Sequence, residues 1–176
     1  KQLMERPLTE YHFVAMLLDG KRFGEDEMVV GVGVTEEGKK VILGFIQTAT
    51  ENEVASSDFL RELVTRGLKH EDGLLVVMDG SKGLRSAVDK VFKEQAVVQR
   101  CQWHKRENVL SYLTPSQQEE FKPRLQSAYE QPTYEAAKEA LIKIRSGLKG
   151  INLSAVNSLN EGLEETLTLH RLGVFE

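Results

Sequence analysis

Apolar residues open the chain in three short runs separated by polar punctuation. Phe13 to Leu18 (FVAMLL) leads into Asp19-Gly20, Met28 to Val34 (MVVGVGV) into Thr35-Glu36-Glu37-Gly38, and Val41 to Ile46 (VILGFI) follows at once. Their lengths, β-branched content and short polar connections predict a three-strand antiparallel meander. The period then becomes helical. Leu60, Leu63, Val64 and Leu68 share one face, Ser56 or Ser57 is positioned to cap, and Asp58 and Glu62 occupy the early turns, which predicts a helix over residues 56–69. Gly73 opens Leu74 to Met78 (LLVVM), an unbroken apolar run typical of a buried central strand, and this run too ends in Asp-Gly, at Asp79-Gly80. A second helix carries Leu84, Val88, Val91 and Phe92, and Ala96 to Val98 makes a short fifth strand.

Past residue 100 the pattern is helical only. Trp103, Val109, Leu110 and Leu113 fit one apolar face. Thr114-Pro115-Ser116-Gln117 reads as a capping box with proline at the first helical position. Thr133 can cap a helix whose Tyr134, Ala137, Leu141, Ile144 and Leu148 recur every three or four residues. A last helix holds Val156, Leu159, Leu163 and Leu167 and runs towards Gly173 as its stop. The expected organisation is therefore a mixed α/β region over 1–100 and a helical region over 101–176.

Composition narrows the class. With 40% hydrophobic and 28% charged residues the chain is ordinary globular protein rather than a disordered segment. No apolar run approaches the roughly 18 residues that span a bilayer, so no membrane partner is expected. Cys101 is the single cysteine, which excludes an internal disulfide and suits a reducing compartment. The chain begins at Lys1 with no targeting pattern and reads as a piece of something longer. A net charge of −4 argues against a stand-alone DNA-binding module, which carries a basic stripe, but leaves room for a core whose acids hold cations.

The element order gives the two Asp-Gly sites a geometric meaning. In a meander the first and third strands run the same way, and a right-handed crossover brings the fourth in parallel beside the first. Asp19 and Asp79 then stand at the C-terminal ends of neighbouring strands about 4.8 Å apart. Two carboxylates so placed suit a divalent metal and phosphoryl-transfer chemistry. Each Asp-Gly alone is equally an ordinary turn.

The stretches VMDGSKGLRSAVD (Val77 to Asp89) and VQRCQWHKRENV (Val98 to Val109) are far more specific. Together they resemble the mutator-type transposases of bacterial insertion sequences. In that family a D-G-x-x-G-L-x-x-A run carries the second catalytic aspartate, matched by Asp79. A C-x-x-H-K element follows, matched by Cys101, His104 and Lys105, with Asn108 one position further along than the shortest spacing. The first family aspartate maps onto Asp19. The resemblance covers essentially the whole chain. It implies an RNase H-like fold with an all-helical insertion and a DDE transposase that uses Mg2+ (or Mn2+). It also implies cleavage of transposon ends to expose a 3′-hydroxyl, and attack of that hydroxyl on target DNA. Double-stranded DNA (transposon ends and target), a homodimer or higher oligomer, and a cytoplasmic, nucleoid-associated location are implied with it. The third acid is expected beyond Glu176, in a Thr-x-Asn-x-x-Glu element, with Glu161 in NEGLEETLTLHRLGVFE the less favoured choice. A fragment ending before that acid is expected to be inactive by itself. A silent remnant and an RNase H-like nuclease are the competing readings.

Several other residues bear on the chemistry. Cys101-x-x-His104 has zinc-like spacing, but the chain offers no four-ligand set. A structural or DNA-facing role is expected for Cys101, His104, Lys105 and Arg106. Arg100, Lys105 and Arg106 are either phosphate contacts or a solvated charged face. Trp103 is expected to pack rather than stack on a base. Lys82, in Gly-Ser-Lys-Gly, lacks the spacing of a phosphate-binding loop.

Overall fold

A computed structural model describes residues 2–23, 26–48 and 52–174. The strands are β1 (Phe13–Phe23), β2 (Asp26–Thr35), β3 (Lys40–Thr48), β4 (Leu74–Met78) and β5 (Ala96–Arg100). The helices are α1 (Gln2–Glu5), α2 (Glu53–Thr65), α3 (Lys82–Phe92), α4 (Gln102–Leu110), α5 (Pro115–Tyr129), α6 (Tyr134–Leu148), α7 (Leu153–Asn160), α8 (Leu163–Thr166) and α9 (Thr168–Leu172). The chain divides into two compact units, Lys1–Val98 and Gln99–Glu176.

The first unit is a mixed α/β layer. Its five strands lie in the order β3-β2-β1-β4-β5, with β1 antiparallel to β2, β2 antiparallel to β3, and β1 parallel to β4. The meander and the expected return of the fourth strand beside the first are both present. Phe13, Met16, Leu18, Val29, Val41, Leu43, Leu74, Val76 and Met78 enter one core, a register shift between Phe13 and Ala15 bringing Phe13 onto the same face as Met16 and Leu18, and there they meet Phe59, Leu60 and Leu63 of α2 and Leu84, Ala87, Val88 and Phe92 of α3. Gly33 leaves room for the Phe13 ring, which a Cβ there would strike. The other face of β1 and β3 carries exposed Val14, Leu17, Ile42 and Phe45, the register irregularities at Phe13/Ala15 and opposite Gly31/Val32 switching the parity within each strand.

Several boundaries differ from expectation: α2 stops at Thr65 and β5 runs on to Arg100, and two further differences have a local cause. Helix α2 begins at Glu53 under Asn52, whose side chain accepts from the backbone N–H groups of Val54 and Ala55 at 2.9 and 3.2 Å. Ser56 and Ser57 are buried within the helix instead of capping it. Strand β1 runs on past Gly20 because β2, starting at Asp26, supplies ladder partners for Gly20 to Phe23. An Asp-Gly pair turns the chain only when no neighbouring strand claims its backbone.

The second unit is helical, with its own core of Val109, Leu125, Ala137, Leu141, Leu148, Ala155, Leu159 and Leu167 among others. Gln117 accepts from the Thr114 N–H at 3.0 Å, completing the expected capping box, and Thr133 caps α6 through Ala136 N at 3.2 Å. The expected last helix is broken. It ends at Asn160, Gly162 adopts the left-handed conformation at φ 62°, and the chain resumes as the short helices α8 and α9.

Candidate active site

Parallel pairing of β1 with β4 extends from Ala15–Leu75 to Leu18–Met78. The next residue on each strand is an aspartate. Asp19 and Asp79 therefore stand level on adjacent strands, whose spacing is about 4.8 Å. The sequence placed both at strand ends, and this holds for Asp79 alone. Asp19 lies within β1, opposite Val30 of β2, at the point where β4 stops but β1 continues. Two-residue alternation puts Asp19 on the side of exposed Leu17, away from the core built with α2 and α3.

The residues after β4 fix the Asp79 carboxylate. Its Oδ1 accepts the Ser81 backbone N–H at 2.9 Å, and the Ser81 hydroxyl in turn accepts from Leu84 N at 3.3 Å as the N-cap of α3. The Asp-Gly-Ser turn thus joins strand to helix while holding one carboxylate oxygen still. The other oxygen has no protein partner among the described residues. Hard oxygen donors of this kind match Mg2+ or Mn2+, which complete their shells with waters and phosphate oxygens. Among the described residues no cluster of three or more His, Cys, Asp or Glu side chains could hold a metal ion.

In the helical unit the Gln99–Arg106 stretch is a clamp. Lys105 is 2% exposed, and its Nζ donates to the carbonyls of Ser158 and Glu161, both at 2.6 Å, with the Glu161 carboxylate 3.7 Å away. Burial, and then the nearby Arg100 guanidinium, push the Lys105 ammonium down to about 8, against the opposing pull of Glu161. Arg100, also buried, donates to the Glu161 carbonyl at 3.3 Å and lies 3.5 Å from its carboxylate. Buried Gln99 donates to the Thr166 carbonyl at 2.9 Å and accepts from Leu169 N at 2.9 Å, and Gln102 adds a donor to the same Thr166 carbonyl at 3.0 Å.

This clamp explains the broken helix. Carbonyls at the end of α7 are taken by Lys105 and Arg100, and a Cβ at Gly162 would collide with the Arg100 guanidinium. Glu161 is accordingly the C-cap of α7 rather than a residue of a continuous helix face. Lys105 and Arg100 are not a solvated face, and their donors are committed to protein carbonyls. Arg106 is half-buried, and partly buried Cys101 is the N-cap residue of α4. The His104 ring meets Trp103 edge-on, with centroids 4.8 Å apart. Trp103 is 55% exposed, so the packing role expected for it is not observed. The roles of Gln99, Gln102 and Gly162 escaped the sequence reading. The available signal was two glutamines and an arginine placed where an apolar strand ends.

A sequence profile of the family described as "Transposase, Mutator family" matches residues 1–174, and the chain belongs to that family. It is 34% identical over 140 residues to the transposase of insertion sequence IST2 from Acidithiobacillus ferrooxidans, covering 74% of this chain and 47% of that protein. It is 30% identical over 181 residues to the ISRM5 transposase of Rhizobium meliloti, covering 98% and 44% respectively. The IS256 transposase of transposon Tn4001 from Staphylococcus aureus is 30% identical over 111 residues, 63% of this chain and 28% of that protein. The chain thus spans about half or less of the length of these relatives. No helix among the described residues is long and apolar enough to cross a membrane.

Proposed function

We propose that the chain is the catalytic core of a DNA transposase, built on an RNase H-like sheet, with Asp19 and Asp79 as its metal-holding catalytic pair. The observation that carries this reading is the level placement of the two aspartates on parallel neighbours β1 and β4, in a chain of the mutator family. Asp19 and Asp79 would hold Mg2+ or Mn2+. Such ions, when bound, assist in-line displacement at phosphorus by activating the attacking oxygen and stabilising the leaving one. The protein's part is positional. The Ser81 N–H and the start of α3 fix Asp79, and the β1–β2 ladder, in which Asp19 pairs with Val30, fixes the backbone of Asp19.

The reaction in this reading cleaves transposon ends to free a 3′-hydroxyl, which then attacks target DNA. Double-stranded DNA is the partner, a homodimer or higher oligomer the working form, and the cytoplasm, close to the nucleoid, the setting. Glu161 is left outside the acid set, because Arg100 and Lys105 engage its carboxylate and its carbonyl. The test is Mg2+ and Mn2+ titration of the chain and its Asp79→Asn variant, followed by thermal shift. A metal-induced shift that disappears in the variant is expected, and an equal shift in both proteins sinks the site.

A further inference from the structure

Helices α4 and α7 border an open groove of about 580 Å3 lined by Asn108, Ser111, Tyr112, Ser154, Asn157, Ser158 and Glu161. Its chemistry is unusual for a protein with 28% charged residues, because the lining contains no cation and a single acid. That acid is already balanced, since Glu161 faces Arg100 and Lys105. What remains is carboxamide, hydroxyl and one aromatic ring. Asn108 from α4 and Asn157 from α7 are both exposed, and their side chains have no protein partner among the described residues. Tyr112 is 49% exposed.

The groove is held in shape from both ends. Near the start of α7, the Asn152 side chain donates to the Tyr112 carbonyl at 2.9 Å. Near its end, Lys105 grips the Ser158 and Glu161 carbonyls. Buried Val109, Leu110, Ala155, Val156 and Leu159 pack the two helices into the core behind it. Two carboxamides on opposing walls of a preformed groove therefore present paired donors and acceptors without first having to be ordered.

We propose that this groove takes an unpaired nucleobase of DNA. The inference rests on reading the chain as a transposase core. A phosphate would need cations, and the lining offers none. A planar uncharged group with donors and acceptors along its edge matches the lining. Asparagine carboxamides pair bidentately with base edges, and an exposed tyrosine ring offers a stacking surface.

The test compares a short single-stranded DNA with an abasic strand of the same length, at fixed ionic strength so that the phosphate contribution is equal. Binding is followed by fluorescence anisotropy for the intact chain and for the Asn108→Ala, Asn157→Ala and Tyr112→Ala variants. These positions are exposed, and circular dichroism of each variant checks the fold. The expected result is tighter binding of the base-bearing strand, weakened about tenfold by either asparagine change, while abasic binding is unaltered. Equal affinity for the two strands overturns the groove and leaves the transposase reading standing. Failure to bind either strand also overturns the groove, while the metal titration of the Asp79→Asn variant decides the transposase reading separately. Retention of the base preference in all three variants places any base contact elsewhere and overturns the proposal.

Discussion

The two polar clusters of this chain use charge in opposite ways. At the end of β4, Asp79 keeps one oxygen without a protein partner and lies level with exposed Asp19. In the helical unit, Lys105 and Arg100 are buried, and their donors are directed at carbonyls and at one carboxylate. In the proposed reading the first arrangement is completed by a cation, which two carboxylates on adjacent strands would hold. The second is self-contained, and nothing further is needed to satisfy it. Motif residues from one family thus divide into a part suited to a ligand and a part that shapes the chain. Spacing alone gave both parts the same look.

The largest effect should come from the carboxylate pair. Asp19→Asn and Asp79→Asn each remove a negative donor from the proposed ion site, and Mg2+ affinity read by thermal shift is expected to fall at least about tenfold. If either variant takes up Mg2+ as tightly as the parent, the contrast between a reactive cluster and a structural one collapses.

Lys105→Met should be the most damaging change to stability. It leaves the Ser158 and Glu161 carbonyls without their donor, at a cost of about 3 kcal/mol by urea denaturation. Its pH signature separates it from simple repacking. The folded-state value of Lys105 is about 8 and its ordinary value is 10.5, so the unfolded chain binds the extra proton between these limits. Stability attributable to Lys105 therefore rises as pH climbs from about 8 towards 10.5, and the parent should gain on the Lys105→Met variant across that window. A constant gap between the two melting curves would contradict the buried-ammonium account.

Gly162→Ala attacks the same clamp from the backbone. Alanine must adopt φ 62° and its Cβ must displace the Arg100 guanidinium, so a loss of about 2 kcal/mol is expected. Pairing this change with Lys105→Met should give a total smaller than the sum, because both dismantle one network.

The division also explains what could be read in advance. The meander, the LLVVM strand and the two later caps were legible because alternation, run length and Thr-Pro-x-Gln chemistry are local. The extension of β1 was not, since whether Asp19-Gly20 turns depends on partners supplied by β2. The cap of α2 was misplaced because serines buried in a helix look the same in sequence as serines at its start. Leucines at 159, 163 and 167 keep helical spacing through the break at Gly162, so periodicity concealed the corner. Above all, burial of Arg100 and Lys105 is a tertiary fact. In sequence they are two cations among 23, and the default expectation for such residues is solvent.

The smallest effect is the sharpest check on Asp79. Asparagine retains an Oδ1 that can accept the Ser81 N–H, so Asp79→Asn should preserve stability within about 0.5 kcal/mol. Asp79→Ala deletes the acceptor that steers the chain from β4 into α3 and should cost about 1 kcal/mol. A residue kept for its turn alone would tolerate asparagine in every assay. A residue kept for its charge would tolerate it in urea and fail with Mg2+. Measuring both quantities on Asp79→Asn separates the turn from the chemistry at the position where the sequence left them superimposed.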